Sequence, residues 1–177
     1  MRKPIQTRPF DVVVAARLLS PAGTLAEIAD ELAASASQVH VALGRLEIAG
    51  LLRPEQRRTN ARAFVDFALG GLRYSFPVLR GPLANGVPTA YSAGPLSELV
   101  DAPDVVVWPA ANTHGAVRGF SLTPLHPRAA QLRDHAPETY RVLTVLDALR
   151  LGEVRLRAHA RSALEAITGE RQLGGTS

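Results

Sequence analysis

Arginine carries most of the positive charge of this chain, and its placement is uneven. The formal net charge is +4, and Lys3 is the only lysine. Six arginines fall in one stretch that only two acidic residues oppose: Arg53, Arg57, Arg58, Arg62, Arg73 and Arg80. Guanidinium groups concentrated in this way can neutralise phosphates along a nucleic acid. A solvated protein face explains the cluster equally well, so charge alone does not decide its use.

The side chains that catalyse reactions or hold metals are scattered. The five histidines show no metal-binding spacing, and cysteine is absent. They are His40, His114, His126, His135 and His159. No phosphate-binding glycine loop or nucleophile elbow is present, and turn formation accounts for Asp101 and Asp104 better than acid–base catalysis. We therefore expect no enzyme, no metal site and no cofactor.

Length and hydropathy limit the number of domains and argue against a membrane-spanning protein. A chain of 177 residues allows one large domain or two small ones. The longest apolar runs, residues 12–16 and 105–108, are too short to span a bilayer, and no secretory signal is evident. The absence of cysteine fits the cytoplasm. The expectation is a cytoplasmic protein with no membrane partner.

Two short amphipathic helices are predicted near the N-terminus, each with its own capping box. Thr24 is a suitable N-cap with Glu27 three residues later, and Ser35 is a second with Gln38 at the matching position. Apolar residues at helical spacing follow the caps: Leu25, Ile28, Ala29 and Leu32, then Val39, Leu43 and Leu46. A helix over residues 10–19 precedes them, and Gly50 can end the second in the left-handed conformation. Two capped helices joined by a tight turn form a helix-turn-helix.

The run that starts at Thr24 and ends with Ala49-Gly50-Leu51-Leu52 resembles bacterial winged-helix transcriptional regulators of the MarR and ArsR kind. The resemblance covers residues 10–53, under a third of the chain, and is specific to the superfamily rather than to a subfamily. It implies that the second helix enters the major groove of DNA with its N-terminal half toward the base edges. The implied DNA-facing residues are Ser35, Ala36, Ser37, Gln38, His40, Val41 and Arg45.

The resemblance also implies a role for each side chain. Gln38 can pair with adenine, although capping competes for the same amide, and Val41 fits a thymine methyl. Ser37 and His40 can donate to bases or phosphates, whereas Arg45, one turn further on, suits phosphate. A plain solvated helix face is the alternative interpretation of these positions.

The sequence departs from that family after Arg53. The family has a strand, a basic turn and a returning strand, whereas residues 54–60 here lead into a helical stripe that Asn60 can cap. The stripe consists of Ala61, Phe64, Val65 and Ala68. We expect a wing that is short or replaced by this helix, with Arg57 and Arg58 close to the DNA backbone.

The remaining two thirds are predicted to mix helices and strands. Residues 72–77 alternate like a short strand, and residues 105–108 and 116–122 suggest a hairpin. Residues 80–95 are rich in glycine and proline and fit no regular element; they are interpreted as a packed surface loop or as a loop over a ligand or partner. Pro137 opens the first of two closing helices. The second is marked by Val154, Leu156, Ala160, Ala163, Leu164 and Ile167.

These patterns predict a mainly α protein with a small β component. We expect an N-terminal winged helix-turn-helix domain over residues 1–70 and an α+β dimerisation or sensing region over 71–168, with a β-hairpin and two C-terminal helices. A flexible tail is expected over 169–177. The expected function is sequence-specific binding of double-stranded DNA by a transcriptional regulator, acting as a homodimer and responding to a small-molecule or protein effector. Two alternatives stay open: an antitoxin-like or adaptor protein that binds a protein partner, and an enzyme with an accessory winged helix.

Overall fold

The computed structural model describes residues 5–21, 23–110 and 113–169. Its helices are α1 Pro9–Arg17, α2 Leu25–Glu31, α3 Ala36–Ile48, α4 Ala61–Gly70, α5 Leu72–Ser75, α6 Leu132–His135, α7 Pro137–Leu151 and α8 Val154–Thr168. Its strands are β1 Leu52–Arg53, β2 Arg58–Thr59, β3 Leu83–Pro88, β4 Val106–Pro109 and β5 Val117–Ser121. The fold is therefore mainly α with a small β part. The predicted tail beyond residue 169 lies outside the described residues.

Both predicted capping boxes are present at the starts of α2 and α3. The Thr24 hydroxyl accepts a bond from the Glu27 amide at 3.2 Å, and the Glu27 carboxylate accepts one from the Thr24 amide at 2.7 Å. Ser35 and Gln38 repeat the exchange, at 3.1 Å and 2.9 Å. Each box satisfies two backbone N–H groups that a helix start would otherwise leave unpaired. Local sequence thus determines where these helices begin.

A short hairpin and a helix follow α3. Gly50 takes a φ of +72°, which glycine adopts without strain and which ends the helix as predicted. Strands β1 and β2 then pair antiparallel with only two residues each, Leu52 opposite Thr59 and Arg53 opposite Arg58. The Asn60 side chain caps α4 directly afterwards. The predicted helix is confirmed, and of the two expectations for the wing the short one is present, because α4 follows the hairpin and does not replace it.

The strand predicted over residues 72–77 is wrong. This segment forms α5, and the amide of Phe76 donates to the carbonyl of Leu72 at 2.8 Å, as in a helical turn. The apparent alternation depended on Tyr74, whose side chain is exposed. Leu72 and Phe76 are four residues apart, so a helix places both on one side.

The loop predicted over residues 80–95 is also wrong, because the segment contains β3 and two 3-10 turns, Ala90–Ser92 and Gly94–Leu96. Two of its prolines lie at the ends of the strand, and its Gly86 permits close packing. Pro82 precedes the strand and Pro88 ends it, where a missing N–H is tolerated. A Cβ on Gly86 would lie 2.0 Å from the carbonyl oxygen of Trp108, so this glycine permits close contact between two backbones.

The hairpin predicted from residues 105–122 is wrong as well. Strands β4 and β5 exist where expected, but they pair in parallel, with Val106 opposite Phe120 and Val107 opposite Ser121. Both strands are antiparallel to β3, which pairs with β5 through its first half and with β4 through its second. Two strands antiparallel to the same third strand must run in the same direction. The connection between them includes residues 111 and 112, which lie outside the described part.

Helix α7 is the centre of the molecule, and its residues 142–150 are all buried. Pro137 opens it and Gly152 follows it with a φ of +68°, in agreement with the prediction. The predicted face of α8 is confirmed except at Val154, which is exposed. Val154 lies two residues before Leu156, about 200° away around the helix, so it cannot share that face. The buried apolar residues of α1 to α4 and of α7 form one continuous core.

A buried polar network ties the sheet to α7. The carboxylate of Asp147 accepts bonds from the Thr89 hydroxyl at 2.8 Å, the Trp108 indole at 2.6 Å and the Arg150 guanidinium at 2.7 Å. Complete burial raises the pKa of Asp147, and these three donors oppose that shift. The network therefore fixes β3 and β4 on α7.

Candidate nucleic-acid interface

Helix α3 is held to the core along one side only. Val39, Ala42 and Leu46 are fully buried, and Leu43 is half-buried. These positions recur at steps of three and four residues, so they form a single stripe against α1 and α2. The opposite side of α3 is consequently open to solvent.

Six predicted site residues lie at the N-cap and in the open N-terminal half of α3. All are exposed: Ser35, Ala36, Ser37, Gln38, His40 and Val41. The hydroxyl of Ser35 and the side-chain oxygen of Gln38 accept the two hydrogen bonds of the capping box. The side-chain NH₂ of Gln38 is left available. Hydroxyl, amide and imidazole groups on a protruding helix are able to hydrogen-bond base edges or phosphates.

Arg45 lies on the same helix but has a different partner from the one expected. Its guanidinium donates to both carboxylate oxygens of Asp11 in α1, at 2.7 Å and 2.5 Å, and its side chain is only 17% exposed. Hydrogen bonding to Asp11 raises the pKa of Arg45. Asp11 stands 34 residues earlier in the chain, so no local pattern pointed to the pair. The geometry gives Arg45 a structural role, and its contact with phosphate stays a prediction.

The arginines of the β1–β2 hairpin have no acidic partner among the described residues. Arg53 and Arg58 are directly opposite each other across β1 and β2, and Arg57 occupies the intervening turn with a φ of +46°. None of the three makes an ion pair within the residues described. Like charges placed opposite each other destabilise a strand pair, and a bound anion would relieve that repulsion.

Three other arginines of the predicted cluster have protein partners. Arg62 pairs with Asp66, and Arg80 pairs with Asp104 and Glu153. Arg73 donates to the carbonyl of Gly152 at 3.2 Å. Arg58 of the hairpin likewise donates to a backbone carbonyl, that of Leu19 at 3.1 Å, so the hairpin differs from Arg62 and Arg80 in lacking carboxylate partners among the described residues.

A loop from the C-terminal part of the chain contacts the turn between α2 and α3. His126 donates from Nε2 to the carbonyl of Leu32 at 2.9 Å, and its ring lies 5.1 Å from that of Phe10. Arg128 donates to the carbonyl of Ala33 at 3.3 Å. Carbonyls at the end of a helix lack partners within the helix, and these two side chains supply them. No sequence pattern indicates the role of this loop, because its contacts join residues more than 90 positions apart.

Two open grooves run beside the N-terminal half of α3. One, of about 700 Å³, lies between the α2–α3 turn and the C-terminal loop. It is lined by Asp30, Glu31, Ser35, Gln38, Arg128 and His135, among others. The other, of about 400 Å³, is lined by Arg8, Phe10, Ser37, Gln38, Val41 and His126, among others. Gln38 thus lies where the two grooves meet.

Clustered metal ligands and long apolar helices are two further features of interest in the described part of the chain. No three or more histidine, aspartate or glutamate side chains converge there as metal ligands. None of its helices combines the length and apolar character needed to cross a bilayer.

Comparison with known proteins adds no family to this geometry. No protein-family model, curated protein or solved structure matches the chain.

Proposed function

We propose that this protein is a transcriptional regulator that binds double-stranded DNA sequence-specifically through a winged helix-turn-helix formed by α1 to α3 and the β1–β2 hairpin. One observation carries the proposal. Helix α3 is anchored by Val39, Ala42 and Leu46, while the polar side chains of its N-terminal half protrude into solvent. A helix held in this way can enter the major groove without losing its packing.

The basic hairpin supports the same function. Arg53, Arg57 and Arg58 lack acidic partners in the described residues and lie directly after α3 in the chain. In a winged helix, a hairpin at this position borders the DNA backbone, where arginine neutralises phosphate. Such contacts position the protein on the duplex and carry no sequence information.

We further propose that the protein acts as a homodimer and that its C-terminal part senses an effector, either a small molecule or another protein. A two-fold dimer would place two copies of α3 about 34 Å apart, one turn of DNA. The continuous core supports communication between the parts, because α1 packs directly on α7. Sedimentation of the purified chain, alone and with DNA, tests the dimer.

The proposal is tested by the salt dependence of binding to a labelled duplex of mixed sequence. Neutralised phosphates make the affinity fall steeply with salt, with a slope of about 0.9 per contact on logarithmic axes. Replacing Arg57 and Arg58 together with alanine should weaken binding to all sequences alike and lower that slope by about 2. Arg62→Ala is the matched control, because Arg62 is exposed and already paired with Asp66. The absence of duplex binding even at low salt would refute the proposal.

A second candidate is the antitoxin-like or adaptor function, in which α3 holds a protein partner. It is favoured by Val41 and Ile48, which are 50% and 66% exposed and lie seven residues apart on one side of α3. Apolar side chains in such positions often mark a protein interface. Replacing Ile48, which is not among the proposed DNA-facing residues, with serine should leave salt-dependent DNA binding intact if DNA is the partner. A protein partner would lose its affinity instead.

A further inference from the structure

We infer that Arg8 and Arg128 form a second phosphate-binding cluster beside α3, so that the C-terminal part of the chain contacts DNA directly. The inference rests on the proposed function, because it extends the same DNA-binding surface. It differs from the family resemblance, since the loop that carries Arg128 lies far outside the resembling residues.

The two arginines lie on either side of Gln38. Arg8 lines the groove that also contains Ser37 and Val41, and Arg128 lines the groove that contains Ser35. Neither arginine makes an ion pair within residues 5–21, 23–110 and 113–169. Arg128 donates one bond to the carbonyl of Ala33, and a guanidinium has five N–H donors. Both side chains therefore keep donors and charge for an anion that approaches α3.

The spacing of the basic groups suits a duplex. Arg8 directly precedes α1, whereas Arg58 donates to the carbonyl of Leu19 beyond the other end of that helix. Helix α1 has nine residues, so these ends are about 14 Å apart at 1.5 Å per residue. The major groove of DNA is about 12 Å wide. Arg8 and Arg128 can thus contact one of the two phosphate backbones that border the groove occupied by α3. The basic hairpin can contact the other.

Acidic groups near Arg128 allow a test in which the affinity for DNA should rise instead of fall. Asp30 and Glu31 line the same groove, and Glu31 is paired with Arg17. Asp30 is exposed and makes no ion pair in the part of the chain described. A phosphate held by Arg128 would be repelled by the Asp30 carboxylate. The Asp30→Asn variant should therefore bind DNA more tightly than the wild type.

The experiment measures Kd of the full chain for a labelled mixed-sequence duplex at several salt concentrations. Removing one phosphate contact should reduce the rise of Kd between about 50 and about 200 mM salt by roughly 3-fold. We expect this reduction for Arg8→Gln and for Arg128→Gln, and wild-type behaviour for Arg128→Lys. Glutamine keeps an amide that can donate to the carbonyl of Ala33, so it removes the charge while preserving the contact. Arg141→Gln, an exposed arginine of α7 that lines neither groove, is the control and should change nothing.

Each result has one interpretation. If Arg8→Gln and Arg128→Gln keep the wild-type salt dependence while the wild type binds DNA, this inference fails and the proposed function stands. If Arg128→Lys loses as much as Arg128→Gln, Arg128 is only a structural contact of the α2–α3 turn, and the inference also fails. If the wild type binds no duplex at low salt, the proposed function and this inference fall together.

Discussion

Asp11 of α1 and Arg45 of α3 are joined by two hydrogen bonds, and the Asp11 side chain is completely buried. The same carboxylate accepts a bond from the backbone amide of Arg8 at 2.8 Å. One side chain therefore fixes the start of α1 and the position of α3 against it. The orientation of the proposed DNA-reading helix depends on this ion pair.

Removal of the ion pair is expected to destabilise the protein strongly. Asp11→Ala leaves the poorly exposed guanidinium of Arg45 without its counter-charge, and breaking a buried pair in this way costs about 3 kcal/mol. Asp66→Ala breaks the exposed pair with Arg62 and should cost less than about 0.5 kcal/mol. Urea unfolding of both variants measures the difference. Equal losses of unfolding free energy would contradict the structural role given to Asp11.

Tyr91 carries a buried hydroxyl that has no hydrogen-bond partner in the described part of the chain. Burial raises the pKa of this hydroxyl, and the guanidinium of Arg80 lies 5.5 Å from the ring centre. Phenylalanine keeps the ring and its contact with Arg80 but removes the desolvated group. We expect Tyr91→Phe to leave the free energy of unfolding unchanged or to raise it by up to about 1 kcal/mol.

Tyr140 provides the matched control for Tyr91. Its hydroxyl donates to the carbonyl of Pro88 at 2.6 Å, so Tyr140→Phe removes a real bond and should cost about 1 kcal/mol. Urea unfolding compares the two variants under one condition. If Tyr91→Phe destabilises as much as Tyr140→Phe, the Tyr91 hydroxyl has a partner after all.

His126 should make stability depend on pH. Burial lowers the pKa of His126 below its ordinary value, an effect that the charge of Arg128 reinforces and the bond to Leu32 opposes. The unfolded chain therefore binds a proton at a higher pH than the folded chain does. The contribution of His126 to stability is complete above the unfolded pKa, near 6.5, and is lost as pH falls through the lower folded pKa.

The variant His126→Gln tests this pH dependence, because its amide can still donate to the carbonyl of Leu32 but does not titrate. Unfolding by urea is measured at pH 7.5 and pH 5.5 for both proteins. The wild type should lose more free energy of unfolding on acidification than the variant loses. Equal losses would show that another group is responsible.

The structure could be predicted from the sequence where it depends on neighbouring residues. The caps at Thr24 and Ser35, the helix end at Gly50 and the start of α7 at Pro137 are all set by side chains within a few positions. Capping and left-handed glycine conformations are local effects, so they can be read in a short window. The exposure of the six proposed DNA-facing residues at the start of α3 follows from the helical spacing of its apolar residues, which is also a local pattern.

The failures involve contacts between distant segments. The parallel pairing of β4 and β5 depends on β3, which the proline and glycine content of residues 80–95 concealed. The role of Arg45 depends on Asp11, and those of His126 and Arg128 depend on carbonyls at the end of the α2 segment. No periodicity in one segment can reveal a partner in another.

The most direct test of the central claim selects bound sequences from a random duplex pool with the wild type, Gln38→Glu and His40→Ala. Glutamate can keep the capping bond to the Ser35 amide, as Glu27 does with Thr24, but it cannot donate to a base. We expect the wild type to enrich one sequence with two-fold symmetry. Each variant should change the preference at one base pair of each half-site by roughly 1–3 kcal/mol. Identical preferences in all three proteins, or no enriched sequence at all, would contradict base reading by α3.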